Sequence, residues 1–143
     1  MIIPFQMGAH LFDSGSSDLE NARALRILLD ALIALNQAFL LHHAVRNLYQ
    51  SGVVYGRTEA WCDIPTLYGM KYGDCKSLSA ALIAQYRAQG IMAEPVFRFK
   101  PRSNGTMYHI LVQVKPRGKW TSEYEDPSKK LGMGGNENAW ASF

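Results

Sequence analysis

Cysteine is scarce in this 143-residue chain: Cys62 and Cys75 are the only two, thirteen positions apart. That spacing builds neither a disulfide framework nor a zinc site, which takes close Cys or His pairs. Independent thiols in a reducing compartment follow, with no metal and no cofactor expected. Long apolar runs are missing as well. The one candidate, Ile27 to Val45, is broken by Asp30, Asn36, Gln37, His42 and His43, which argues against a membrane span. Met1 to Gly15 lacks the basic-then-apolar order of a secretion signal, so a soluble protein is expected.

Concentrated charge is also absent. The formal charge is only +3, and the basic residues fall in short clusters at Arg98-Lys100-Arg102, Lys115-Arg117-Lys119 and Lys129-Lys130. A nucleic-acid binder gathers such charge on one stripe, so these read as solvated strand ends and turns. Adjacent His42 and His43 point in different directions on a helix and cannot chelate one metal. A length of 143 residues with 48% hydrophobic composition suits one globular core.

Residues 1–17 read as an extended arm, 18–132 as the folded domain and 133–143 as a glycine- and asparagine-rich tail, with Trp140 and Phe143 available to tack its end down. Ser17 or Asp18 can cap a helix that starts at Leu19 and, free of Gly and Pro, runs to about Gln50. Residues 52–74 form an irregular segment, with a short helix within Glu59 to Gly69 around Pro65. A second helix opens at Asp74 or Cys75 and runs to about Gln89, with Gly90 as its stop. Its apolar positions Cys75, Leu78, Leu82 and Tyr86 share one face. The period then changes to two. Val96 to Phe99 reads as a strand, Asn104-Gly105 as a hairpin turn and Met107 to Val114 as the return strand. Arg117-Gly118 marks another turn, and Trp120 to Glu125 a third strand. The fold class is α+β: a long N-terminal helix and a second, catalytic-type helix packed on a small antiparallel sheet.

The chemistry-bearing pattern is an ordered trio: Gly73-Asp74-Cys75 at a helix start, His109 in a strand, and Asp126-Pro127 where the next strand ends. A thiol attacks a carbonyl, an imidazole moves its proton, and a carboxylate holds the imidazole in the useful tautomer. If Arg117-Gly118 is a two-residue loop, paired positions sum to 235 and His109 lies opposite Asp126, with β-carbons about 4.5–5.5 Å apart. A bulged three-residue loop would put Glu125 there instead. Asp126 is preferred because Pro127 holds it extended. At the helix start, unpaired amides and the positive dipole end should stabilise a thiolate and lower the Cys75 pKa. The same amides could serve an oxyanion. Taken alone, Cys75 would be a core residue, His109 a half-buried strand histidine and Asp126-Pro127 an ordinary turn opener. Their joint occurrence favours a site. Cys62, after Trp61, lacks these features and reads as structural.

The run Tyr72-Gly73-Asp74-Cys75-Lys76-Ser77 opening a helix that ends at Gln89-Gly90-Ile91, then Tyr108-His109, Trp120 and Asp126-Pro127, resembles the transglutaminase-like branch of the papain-like thiol enzymes over roughly residues 40–132. Glu125 to Met133, with Trp61 to Pro65 upstream, resembles small proteins of this type encoded by tailed bacteriophages. The resemblance implies acyl transfer through a thioester, without metal, by Cys75 as nucleophile, His109 as general acid/base and Asp126 as its orienting partner. Lys76 departs from the pattern, since many relatives carry an acidic residue there. Trp61 is the one candidate for a side-chain oxyanion donor. Two functions are expected. One is a cysteine peptidase or amidase acting on a peptide or protein substrate, with hydrolysis favoured because a chain this short leaves little room to exclude water. The other is a non-catalytic module that assembles with phage structural proteins. The location would be the bacterial cytoplasm or the virion, with no nucleic-acid or membrane partner.

Overall fold

The computed structural model describes residues 5–6, 18–102, 105–121 and 123–134. Most of the N-terminal arm, the turn residue Asn104 and the tail beyond residue 134 lie outside that set, as does Ser17. The chain is α+β. Its elements are β1 (Phe5–Gln6), α1 (Asp18–Leu40), β2 (Val54–Tyr55), β3 (Ala60–Trp61), α2 (Ile64–Met70), β4 (Tyr72–Gly73), α3 (Cys75–Ala88), β5 (Met92–Arg102), β6 (Gly105–Lys115) and α4 (Pro127–Lys130). Among the described residues three two-stranded ladders form: β1 antiparallel to β3, β2 parallel to β4, and the long hairpin of β5 with β6.

The centre of the fold is α3. Every residue from Cys75 to Gln85 is buried, so this helix has no solvent face over three turns. Sequence periodicity suggested a single apolar stripe, but the polar residues between are sheltered too, each with a partner. Ser77 Oγ accepts from the Cys62 amide at 2.9 Å, and Ser79 Oγ donates to the Ile110 carbonyl at 3.2 Å. Small side chains on α3 (Ser77, Ser79, Ala80, Ala81, Ala84) let neighbours approach closely. Leu25, Leu29, Leu32 and Ile33 of α1 cover one side, and Ile110 and Val112 of β6 another.

Helix α1 includes Asp18 as its first helical residue rather than its cap, and it stops at Leu40, ten residues short of the expected end at Gln50. Its last amides wind down onto the Gln37 and Phe39 carbonyls, and His43 stacks on Phe39 with ring centres 4.4 Å apart. The reason for the early stop is tertiary. Buried Gln85 takes the Leu48 amide at 3.0 Å, and Asn47 takes the Tyr49 amide at 3.0 Å. A continuing helix would have used both amides internally. Only a 3-10 turn, Leu48–Gln50, survives of the expected last turns.

The β5–β6 hairpin is longer at both ends than expected, with Arg102 paired to Gly105 across the turn. Backbone groups alternate sides along a strand. Val112 directs its amide and carbonyl away from β5, toward Glu125. The alternate residues therefore bond β5, which places Pro95 and Pro101 at positions whose missing N–H faces the outer edge of β5. Among the described residues the expected third strand, Trp120 to Glu125, does not form. Thr121 donates to the Val114 carbonyl at 2.9 Å, which fits the register sum of 235, but the isolated Val112–Glu125 bridge fits 237. Two extra residues are accommodated between Thr121 and Glu125, and pairing ends there.

Candidate active site

Helix α3 starts abruptly because the chain before it is held extended. Tyr72 and Gly73 pair with Val54 and Tyr55, and Asp74 follows at φ −101, ψ −171 as the N-cap. Its carboxylate accepts from the Lys76 amide at 3.3 Å. Gly73 is favoured by space: a β-carbon there would lie 2.5 Å from Leu67 Cδ1, which would have to shift. Cys75 is thus the first residue of the helix.

Ile110 marks where strand pairing on the open edge of β6 gives way to helix α3. Two residues from Val112, it points its amide and carbonyl at the same open edge of β6. Helix α3 faces both groups. The amide favours the thiolate form of Cys75, and the carbonyl accepts from Ser79, one helical turn further on. A helix face therefore stands where a third strand would have continued.

The electrostatics reverse the expectation of a stabilised thiolate. Burial raises the Cys75 pKa most, and the Asp74 carboxylate raises it further; Lys76 and the Ile110 amide oppose this without overcoming it. The helix-start amides fail to prevail because Asp74 uses them: the Lys76 and Ser77 amides both serve its carboxylate. The resting thiol is neutral. Lys76 is buried as well. Its ammonium is paired with Asp74 and donates to the Thr58 carbonyl at 2.8 Å, with the Trp61 ring centre 5.8 Å away. Trp61, the candidate oxyanion donor, is fully buried beside this pair.

His109 and Asp126 are brought together. Nε2 of the imidazole lies 2.9 Å from Oδ2 of the carboxylate, with the histidine 1% exposed. A carboxylate only accepts, so Nε2 is the donor in this contact. The expected reason for this contact was incorrect, since Asp126 is not opposite His109. It stands one position beyond the Val112–Glu125 bridge, level with Leu111, and reaches His109 diagonally. Its other oxygen accepts from the Lys129 amide at 3.2 Å, capping α4. Glu125, the alternative acid, points to the opposite face, where it accepts from the hydroxyls of Tyr49 and Tyr86.

Sequence reasoning missed the Tyr49–Glu125–Tyr86 cluster, the Asp74–Lys76 pair and the role of Ser79. Of these, only Ser79 carried a signal, being one turn from Cys75 on the same helix face. Cys62 is buried against Met70, with sulfurs 3.7 Å apart, as its structural reading required. Among the described residues no cluster of His, Cys, Asp and Glu could hold a metal ion, and no helix is long and apolar enough to cross a membrane.

A family model described as the transglutaminase-like superfamily matches residues 32–123, a span that holds Cys75 and His109 and ends just before Asp126. No curated protein matches the chain, and no solved structure does. With nearly two thirds of its length matched, and with a buried thiol-bearing helix set against the strand that carries His109, the chain belongs to the transglutaminase-like superfamily.

Proposed function

We propose that the protein is a thiol-dependent hydrolase, a cysteine peptidase or amidase that cleaves an amide or isopeptide bond through a thioester. Cys75 is the nucleophile, His109 the general acid/base and Asp126 its orienting partner. The observation that carries this reading is the 2.9 Å His109–Asp126 contact on the strand against which the Cys75-bearing helix packs.

Because the resting thiol is neutral, the imidazole must take its proton as substrate arrives. The sulfur then adds to the carbonyl carbon. The carbon–nitrogen bond breaks, and the imidazolium returns the proton to the departing amine. Water, deprotonated by the same imidazole, adds to the thioester, and the carbon–sulfur bond breaks to release the acid and restore the thiol. Asp126 supports the imidazolium formed in each half. With the Lys76 and Ser77 amides already serving Asp74, the remaining helix-start donor for the oxyanion is the amide of Cys75 itself.

Burial of Cys75, at 7% exposure, favours a second reading, in which the fold is an assembly module of a phage particle and the sulfur is a core atom. Acid-quenched reactions with a library of peptide and isopeptide amides, read by mass spectrometry, separate the two. An acyl adduct on Cys75, absent from Cys75→Ala, supports the hydrolase. Absence of adduct and turnover across the library, together with particle assembly unchanged in Cys75→Ala, supports the module.

A further inference from the structure

Two carboxylates adjoin each other at the edge of β6, and a shift of one residue would exchange them. Consecutive residues on an extended chain face opposite ways, so a one-residue slip would present Glu125 to His109 and Asp126 to the tyrosines. Something must choose between them. The backbone bridge to Val112 (2.7 and 2.8 Å) fixes one register but stands alone, because no third strand continues it.

Glu125 carries the additional constraint. Its side chain is only 15% exposed and accepts from Tyr49 in the 3-10 turn and from Tyr86 of α3 at 2.5 Å, with Lys130 at 3.4 Å. Burial and the neighbouring carboxylate hold both phenols protonated, so each remains a donor. Tyr86 lies on the helix that begins with Cys75, three turns away. The geometry points to Tyr49 and Tyr86 as a register lock: by binding Glu125 they select Asp126 as the acid that orients His109, and they tie that acid to the helix bearing the thiol. Glu125, Tyr49 and Tyr86 are positioning residues. The inference rests on the hydrolase reading for its consequence in rate, but not for its consequence in structure.

Phenylalanine keeps each ring and removes the donor, so Tyr49→Phe/Tyr86→Phe in the full-length protein is the test. Two signals are followed: the His109 Nε2–H proton by NMR and the rate of Cys75 alkylation by iodoacetamide. The double variant should broaden or lose the His109 proton signal and slow alkylation by about tenfold, a loss expected of a small misplacement near reacting groups. Glu125→Gln, whose amide oxygen accepts from one phenol while its NH2 can donate to the oxygen of the other, should keep the signal and a rate close to wild type. A folded double variant with signal and rate both unchanged overturns the proposal. If the double variant does not fold, Glu125→Ala and Tyr49→Phe decide by the same two signals. If the signal responds while wild-type alkylation ignores His109→Ala, the lock stands and the hydrolase reading fails.

Discussion

Asp126 reaches His109 at 2.9 Å from a register position level with Leu111, and its second oxygen caps α4 at the Lys129 amide. One partly buried carboxylate therefore orients the imidazole and starts a helix. The double duty explains why Pro127 follows it: proline at the first helical position needs no amide partner, and it keeps Asp126 extended.

Asp126→Ala removes both bonds. A lost cap is worth about 1 kcal/mol, and a lost hydrogen bond to a charged group about 1.5–3 kcal/mol. Urea denaturation should place Asp126→Ala clearly below wild type, with Asp126→Asn between them because asparagine can satisfy only one partner as an acceptor. Equal stability of all three proteins would contradict the shared role.

Buried Lys76 pairs with the partly buried Asp74 at the start of α3. Removing one member strands the other charge, so Lys76→Met should destabilise by about 3–5 kcal/mol. Adding Asp74→Asn should recover a substantial part of that loss, because it removes the stranded carboxylate. The four proteins form a double-mutant cycle readable by denaturant melts, and strictly additive losses would show that the pair is not coupled.

Burial also raises the Asp74 pKa above its ordinary 3.8 despite the opposing Lys76. The folded protein then holds this proton more tightly than the unfolded chain does. The resulting stabilisation is fully present below 3.8 and is lost as pH rises through the raised folded value. Unfolding free energies measured from acid to neutral pH should show wild type losing ground relative to Asp74→Asn over that window. A constant difference between the two proteins would rule this out.

Gly73 lies against Leu67, with φ outside the left-handed region that only glycine enters freely. Gly73→Ala should therefore cost about 1–3 kcal/mol as overpacking. Truncating the obstruction, in Gly73→Ala/Leu67→Ala, should leave a loss smaller than the sum of the two single losses. Thermal melts provide the check, and simple additivity would count against the contact.

Much of this arrangement was legible in the sequence where local rules govern. The Gly-Asp-Cys start and Gly90 stop bracketed α3 almost to the residue, since Asp74 caps and Gly90 at φ +79 terminates by local geometry. Alternation from Val96 onward located the hairpin. Tertiary partners decided what was misread. Gln85 diverts the Leu48 amide and shortens α1, while two extra residues between Thr121 and Glu125 shift the register and interrupt the third strand. The thiol pKa was misjudged for a related reason: the dipole at a helix start helps a thiolate only if the N-cap is neutral and the site wet. Here the cap is a carboxylate and the sulfur is buried.

The most direct measurement is the alkylation rate of Cys75 against that of Cys62 at neutral pH, each quantified by peptide mass spectrometry, in wild type and in His109→Ala. Both thiols have raised pKa values, so neither should react quickly without assistance. Cys75 should be labelled well ahead of Cys62, and His109→Ala should erase the advantage by about a hundredfold, the scale of general-base assistance. Equal labelling of the two cysteines, indifferent to His109, would contradict the site.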